Sequence, residues 1–270
     1  MIAPKMIHVS AFGLYKFAGR LGHKDFVKRV DMYRYLEYPT VISGLQIEPG
    51  MSLLDVGSSN TILPLYLAST GCRVIAVDVD ERALAFQKKR LSRLEGKLFP
   101  TSYLRFEIQD ARRLAYADNS FDRITAVSMI EHIPSNGDSL AVTEMARVLK
   151  PGGRLGLSFP YGPAYREGRP PYDTALNHRI YDETTINSRI INVCTLNEVS
   201  RFYFTSRIKG FDFERTLWRR IPQKIHNLTG WMAIGLLCSY LFFSIKADPG
   251  IHSANGICLI LEKPLLASRV

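Results

Sequence analysis

The sequence predicts an α/β protein built on a doubly wound, mostly parallel sheet with helices on both faces. Three observations support this prediction. Short apolar runs of strand length recur along the chain and alternate with segments at helical spacing. Several of these runs are apolar throughout, which is typical of strands covered on both faces. Helices between such strands serve as crossover connections, so neighbouring strands are expected to run parallel.

Seven strands and four main helices are expected. The strands span residues 51–56, 73–78, 103–109, 121–128, 153–159, 199–205 and 256–262. Helices are expected over residues 61–69, 81–95 and 138–149, and another begins near Asp182, whose side chain can cap it.

The predicted elements divide the chain into four parts. About fifty residues separate the last two strands, which is too long for a simple connection in a compact domain, so we expect an insertion there. The expected parts are a helical leader (1–45), a ligand-binding core (46–215), a helical insertion or lid (216–250) and the last core strand with the tail (251–270).

The composition is that of a globular chain. Of 270 residues, 46% are hydrophobic and 22% are charged, which argues against a disordered chain and against a multi-pass membrane protein. The formal net charge of +10 favours anionic partners such as lipid headgroups, phosphorylated substrates or nucleic acid. The four cysteines are scattered and no His cluster accompanies them, so no metal site is expected. Since the N-terminus lacks the features of a signal peptide, a cytoplasmic location is expected.

Polar residues at the strand ends are the first candidates for ligand binding, because ligands of open α/β sheets lie beyond the carboxyl ends of the strands. The first strand ends in Asp55, and Gly57 then lets the backbone approach a ligand closely. Asp78 ends the second strand, where a carboxylate can accept hydrogen bonds from both hydroxyls of a ribose. Asp110 follows the third strand, where it could accept from an adenine amino group.

The charge of Asp55 separates two kinds of nucleoside ligand. A dinucleotide-binding fingerprint needs three glycines, whereas the corresponding positions here are Gly57, Ser59 and Ile62. The carboxylate of Asp55 would also repel a pyrophosphate. A ligand with ribose, adenine and a positive centre but no phosphate suits this pocket better, and S-adenosylmethionine has that description.

Five segments between residues 51 and 160 have a familiar order and spacing. They read L-L-D-V-G-S-S-N, V-I-A-V-D-V-D, I-Q-D-A, F-D-R-I-T-A-V-S-M-I-E-H-I and R-V-L-K-P-G-G-R-L. In these segments the sequence resembles the class I S-adenosylmethionine-dependent methyltransferases, particularly the small-molecule group often called type 11. The resemblance implies a Rossmann-like fold, S-adenosylmethionine as cofactor and a small-molecule or lipid-linked acceptor. One departure concerns the first motif, where this family usually has Gly at the positions of Ser59 and Thr61.

The resemblance also implies a set of cofactor-binding residues. It puts Asp55 and Gly57 at the methionine portion of the cofactor, Asp78 at the ribose and Asp110 near the adenine. The full expected set is Asp55, Gly57, Ser58, Ser59, Asp78, Val79, Asp110, Ala111, Ser128 and Met129.

Methyl transfer needs little covalent help from the protein, because the sulfonium makes the methyl group electrophilic and the enzyme mainly aligns the nucleophile with it. A base is required only where the acceptor must lose a proton. His132 is taken as the catalytic residue, and His178 is interpreted as a solvated loop residue. The candidates for a base are His132, His178, Glu131, Tyr161 and Tyr181.

Residues 225–245 leave two interpretations open. These 21 residues contain no Asp, Glu, Lys or Arg, yet a membrane span is disfavoured because the last strand must return to the sheet on the same side of any bilayer. Between residues 201 and 224, seven Lys or Arg stand against two Asp or Glu. Basic charge beside an apolar segment is typical of an anchor at the inner face of an anionic membrane, and a buried lid is the alternative.

Three other functions are weighed against methyl transfer to a small molecule. Nucleic acid is the less favoured substrate, because the chain reads S-M-I-E after the fourth strand and has neither an N-P-P-Y-like motif nor a Pro-Cys nucleophile there. A binding or regulatory protein that keeps the fold without turnover is a second hypothesis, motivated by the altered first motif. An NAD-dependent reductase or epimerase is a distant third, because the glycines and a Tyr-x-x-x-Lys pair are missing.

Overall fold

The computed structural model describes residues 13, 14, 17, 34–94, 98–168, 178–206, 243–247 and 254–265. Most of the expected leader (1–45) and most of the expected helical insertion (216–250) lie outside the described residues. None of the helices in the described ranges is long and apolar enough to cross a bilayer.

A mixed sheet of eight strands forms the centre of the described fold. The strands of the chain are β1 Ser52–Val56, β2 Arg73–Asp78, β3 Leu104–Ile108, β4 Phe121–Val127, β5 Leu149–Pro160, β6 Arg166–Gly168, β7 His178–Ile180, β8 Asn197–Ser206, β9 Phe243–Lys246 and β10 Ala254–Glu262. The main sheet has the order β3-β2-β1-β4-β5-β10-β8-β9, and β6 pairs with β7 in a separate hairpin. The first five strands of this order pair in parallel with their neighbours. The three remaining pairs, β5 with β10, β10 with β8 and β8 with β9, are antiparallel.

The doubly wound α/β architecture is confirmed, but the expected strand number is wrong. Among the described residues the main sheet contains eight strands, because Phe243–Lys246 pairs antiparallel with β8. This strand lies in the segment that the sequence predicted to be helical. With only four residues, the pattern of its side chains cannot distinguish a strand from the end of an apolar helix.

Helices cover both faces of the sheet. They are α1 Arg34–Leu45, α2 Leu63–Ser69, α3 Glu81–Arg93, α4 Gly137–Val148 and α5 Glu183–Ile186. The first three helices pack with one face of the sheet in one apolar cluster, and α4 and α5 pack with the other face in a second cluster. In β1, β2 and β10, apolar side chains next to each other in the chain belong to different clusters, as the period of two in a strand requires.

The helix α1 packs directly on the sheet. Val41 and Leu45 are fully buried, and a Cβ on Gly156 of β5 would lie 2.7 Å from Val41 Cγ1. The guanidinium of Arg123 donates to the carbonyl of Leu45, and that of Arg154 donates to the carbonyl of Gly44. Carbonyls in the last turn of a helix have no partner within the helix, so these bonds satisfy them. This end of the expected leader is therefore attached to the core by packing and by hydrogen bonds.

The strand register places both ends of the segment 207–242 at the carboxyl edge of the sheet. β8 runs in the same direction as β5, because each is antiparallel to β10. Its last residue, Ser206, therefore lies at that edge, and Ser206 is the register partner of Phe243. The chain leaves the sheet and returns to it beside the carboxyl ends of the parallel strands.

The capping role predicted for Asp182 is confirmed. The Asp182 carboxylate accepts a hydrogen bond of 2.8 Å from the backbone N–H of Thr185, and the Thr185 hydroxyl accepts one of 3.0 Å from the backbone N–H of Asp182. The other carboxylate oxygen accepts from the backbone N–H of Tyr165. The cap therefore fixes both the start of α5 and the chain after β5.

We predict that Asp182→Ala lowers the free energy of unfolding by about 1–2 kcal/mol, since orphan N–H groups lose their acceptor. Asp182→Asn keeps an acceptor oxygen and should lose less than half of that. Urea unfolding of the two variants checks this, and equal losses in both would contradict the capping account.

Candidate functional site

The loops that follow β1 and β2 are joined by backbone hydrogen bonds at the carboxyl edge of the sheet. The N–H groups of Gly57 and Ser58 both donate to the carbonyl of Val77, at 2.9 and 3.0 Å. The Asp78 carboxylate accepts from the backbone N–H of Ser59 at 2.7 Å and from that of Asp80 at 2.9 Å. Each carboxylate oxygen has further lone pairs, so these bonds orient Asp78 and leave it able to accept from a ligand.

A buried glutamine holds the loop after β1 from the side of α3. Gln87 Nε2 donates to the carbonyls of Ser59 and Thr61, at 3.2 and 2.5 Å. Ser59 itself has a φ of +43°, in the left-handed region where a non-glycine residue is under strain. Gln87 and Asp78 together supply the bonds that keep Ser59 in this conformation.

Asp55 is a buried carboxyl with one unsatisfied oxygen. It is 2% exposed, and Thr125 donates to its Oδ1 at 2.5 Å. Its Oδ2 has no hydrogen-bond partner within the described structure. Burial raises the pKa of Asp55 to about 7, the hydrogen bond from Thr125 opposes this rise, and the negative charge of Asp78 adds to it. A cationic ligand group at Oδ2 would satisfy this oxygen and favour the ionised form.

Gly57 occupies a position that only glycine fits. Its φ is +71°, and a Cβ at this residue would lie 2.6 Å from the Cβ of Met129 and 2.8 Å from its Cγ. The loop after β4 therefore lies directly on the loop after β1. Ser58, next in the chain, is buried and its hydroxyl oxygen has no described partner.

The loop after β4 is held by α1, a contact that the sequence reasoning missed. Ser128 has a φ of +46° and its hydroxyl donates to Glu37 Oε1 at 2.9 Å. Arg34 donates to the other oxygen of Glu37 at 2.6 Å. Glu37 is buried, and the signal that the sequence offered was a single Glu among the apolar residues that follow Arg34.

The carboxylate that was expected near the adenine, that of Asp110, is paired with a neighbouring cation. Arg112 donates to both carboxylate oxygens of Asp110 through its Nε and Nη2 groups. Hydrogen bonding to Arg112 lowers the pKa of Asp110, so this carboxylate is already paired. Two exposed apolar side chains lie nearby at the ends of adjacent strands, Val79 at 68% and Ile108 at 56% exposure. Ile108 was not among the expected residues, whereas Val79 was, and Ala111 is buried.

The short helical turn Ile130–His132 brings two of the candidate bases to the same edge. Glu131 is almost fully buried, and burial raises its pKa to about 8. His132 is partly exposed, and its Nε2 lies 3.7 Å from Glu131 Oε1. The expectation of a solvated loop position for His178 is wrong, because His178 belongs to β7 and its ring centroid lies 5.4 Å from that of His132.

The two candidate tyrosines are poorly suited to act as bases. The Tyr181 hydroxyl is buried and donates to Asp138 at 2.8 Å, and burial raises its pKa far above the usual range. Burial, together with the charge of Glu183, raises the pKa of Tyr161 to about 12. Both phenols therefore stay protonated near neutral pH.

The fold and this site define a nucleoside-binding α/β protein, and comparison with known proteins specifies the class. The family model of the methyltransferase domain matches residues 54–157, which extend from within β1 to within β5 and include the loops after β1, β2 and β4. Residues 54–157 therefore carry a methyltransferase domain, and the matches support a class I methyltransferase with S-adenosylmethionine as its cofactor.

Three curated relatives illustrate the range of likeness. The chain is 38% identical over 115 residues to methyltransferase GfsG of Streptomyces halstedii, covering 42% of this chain and 39% of that protein. It is 26% identical over 207 residues to a demethylmenaquinone methyltransferase of Corynebacterium glutamicum, covering 76% and 80%. It is 34% identical over 110 residues to a ubiquinone biosynthesis O-methyltransferase of Xanthomonas oryzae pv. oryzae, covering 40% and 43%. The chain thus spans less than half of two of these proteins.

A solved structure shares the fold. A methyltransferase of Methanosarcina mazei has a TM-score of 0.57 and 16% sequence identity, covering 84% of this chain and 98% of that one. At this identity the likeness concerns the arrangement of strands and helices.

We predict that Gly57→Ala lowers the free energy of unfolding by about 3 kcal/mol, because the new methyl group meets Met129 and the left-handed φ is strained. Gly50→Ala is the matched control, since Gly50 also has a positive φ, of +88°, but nothing lies within 4 Å of its Cβ position. That variant should lose about 1 kcal/mol. Chemical denaturation compares them, and equal losses would refute the close contact.

The buried carboxyl of Asp55 predicts a pH-dependent stability. Its pKa of about 7 lies above the usual value for Asp, so the folded state binds more protons than the unfolded state from about pH 4 to pH 7. This contribution to stability is therefore fully present below about pH 4, is lost by at most about 1.4 kcal/mol per pH unit as pH rises from about 4 to 7, and changes no further above the folded pKa.

Asp55→Asn should flatten this profile, so that its stability relative to the wild type is higher at pH 8 than at pH 5. Asp118→Asn, at an exposed position, is the control. Urea unfolding at several pH values provides the measurement, and parallel profiles for wild type and Asp55→Asn would contradict the assignment.

Proposed function

We propose that the protein transfers a methyl group from S-adenosylmethionine to a hydroxyl of a small, lipid-linked aromatic acceptor, with His132 as the proton acceptor. The observation that carries the proposal is the buried carboxyl of Asp55 with its unpartnered oxygen, at the end of β1 and beside Gly57. A desolvated carboxylate of this kind favours a cationic ligand over an anionic one.

The residues at the carboxyl edge fit this cofactor. Asp55 would accept a hydrogen bond from its ammonium group, and Asp78, oriented by backbone donors, would accept from the ribose hydroxyls. The exposed side chains of Val79 and Ile108 would flank the adenine. Gly57 supplies a backbone without a side chain at the closest approach. Ser58, Ser59, Asp110, Ala111, Ser128 and Met129 complete the proposed cofactor set.

The bound cofactor supplies an electrophilic methyl group on a positively charged sulfur. The chain contributes alignment, exclusion of water and a base. When bound, the cofactor would supply the methyl group for the new bond to the acceptor oxygen and keep the electron pair of the broken bond on its sulfur, and a nitrogen of His132 would take the hydroxyl proton. Because Tyr161 and Tyr181 remain protonated and Glu131 is almost fully buried, the partly exposed His132 is the base that we propose.

Two observations favour a lipophilic aromatic acceptor. One relative is named for demethylmenaquinone and another for O-methylation in ubiquinone biosynthesis, which supports a quinone- or phenol-like ring. The segment 207–242 begins and ends beside the carboxyl edge, and it includes most of the apolar run 225–245. We propose that the apolar run 225–245 favours a lipophilic acceptor and that the basic excess of residues 201–224 supports contact with an anionic membrane surface.

Methyl transfer from isotope-labelled S-adenosylmethionine to prenylated phenols and quinols tests the function. The wild type should methylate at least one member of the series, and His132→Asn should lower kcat about a hundredfold with little change in KM, since a base contributes at the transition state. Lys88→Gln, at an exposed position on α3, should retain activity. Cofactor binding with no transfer to any acceptor would instead favour a silent binding protein.

Cofactor binding is expected to strengthen with pH. Since the pKa of Asp55 is about 7, part of the population is protonated at pH 6 to 7, and a bound ammonium group favours the ionised form. Binding should release a proton, and affinity should rise by up to about tenfold per pH unit below pH 7. Calorimetry in buffers of different ionisation enthalpy measures the release, and its persistence in Asp55→Asn would refute the role of this carboxyl.

A further inference from the structure

The two histidines at the carboxyl edge are held together by a buried ion network. Arg179, the residue after His178, is fully buried. Its Nη1 donates to the carbonyl of Ile133 at 2.5 Å, and its Nη2 donates to the carbonyl of Ser135 at 2.6 Å. The strand β7 is therefore fastened to the segment that directly follows His132.

Two carboxylates compensate the buried charge of Arg179. Glu167, on the paired strand β6, accepts from Arg179 at 2.8 Å, and Asp138, at the start of α4, lies 3.9 Å away. Asp138 also accepts from Tyr181 and from Arg189. Breaking one partner of such a buried pair is costly, so the network fixes the position of β7 against the turn Ile130–His132.

This network fixes the imidazole ring of His178 beside that of His132. The ring centroids of His132 and His178 are 5.4 Å apart, with the planes inclined by 52°, and both side chains are partly buried. Behind His132 lies the buried carboxyl of Glu131, 3.7 Å from Nε2. Around Glu131, the charged and polar groups are Glu37 and Arg34 of α1, the hydroxyl of Ser128 and the phenol of Tyr181.

We propose that His178 is a second residue of the proton path: it takes the proton that His132 removes from the acceptor and passes it to solvent, while Glu131 positions His132. This inference rests on the proposed function. The imidazole of His178, on the β6–β7 hairpin and 5.4 Å from that of His132 between ring centroids, provides a second site for this proton. His132 returns to its neutral form when the proton moves to His178, so one proton leaves the site per methyl group transferred.

The first test measures the kinetics of methyl transfer to an acceptor that the wild type methylates. His178→Ala should lower kcat about tenfold near pH 7 with KM within twofold, because the proton path acts after binding. Added imidazole should restore part of the activity, which a purely structural role would not allow. His178→Gln is the second variant in case the alanine protein does not fold. An unchanged kcat and pH profile in a folded variant would overturn the proposal.

Titration of the free protein provides a test that does not depend on activity. The imidazole resonances of His132, followed by NMR, should change their titration midpoint by about half a pH unit or more in His178→Gln, since neighbouring titrating groups influence each other. Lys88→Gln should leave the midpoint unchanged. An unchanged midpoint in His178→Gln overturns the inference whatever the activity. A coupled titration without any methyl transfer would contradict the proposed function alone.

Discussion

The site depends on the close approach of the loops after β1 and β4, where Met129 lies on Gly57. A side chain at residue 57 would occupy the space of Met129, and the positive φ of Gly57 turns the chain back toward the end of β2. Because Met129 is held there, the next turn presents Glu131 to the interior and His132 to the edge. One contact thus links the loop proposed to bind the cofactor with the turn that carries the proposed base.

Two buried carboxyl groups distinguish the carboxyl edge of the sheet. Asp55 and Glu131 are both buried, and burial raises the pKa of each to near or above 7. Holding such groups without a compensating cation costs stability, which the packing of two apolar clusters must offset. A ligand that carries positive charge would remove part of that cost when it binds.

The sequence predicted the elements whose pattern is local and missed contacts that depend on the tertiary structure. The cap at Asp182 was predictable because its acceptor and donor lie three residues apart. The bond between Glu37 and Ser128 joins residues far apart in the chain, and the pairing of Phe243–Lys246 depends on a distant strand. His178 was assigned to a loop because no local pattern shows that the adjacent Arg179 is buried against the turn after His132. Asp110 and Arg112 are an exception, because they lie only two residues apart and Arg112 pairs with a carboxylate that was expected to face a ligand.

The most direct test of this account is calorimetric titration of S-adenosylmethionine and S-adenosylhomocysteine into the wild type, Asp78→Asn and the exposed control Asp118→Asn. The Asp78 carboxylate is oriented by two backbone donors and is proposed to accept from the ribose, which both ligands share. The account predicts micromolar binding of both ligands to the wild type and the control, weakened at least about tenfold in Asp78→Asn. No binding to a folded wild type, or equal binding to Asp78→Asn, would contradict it.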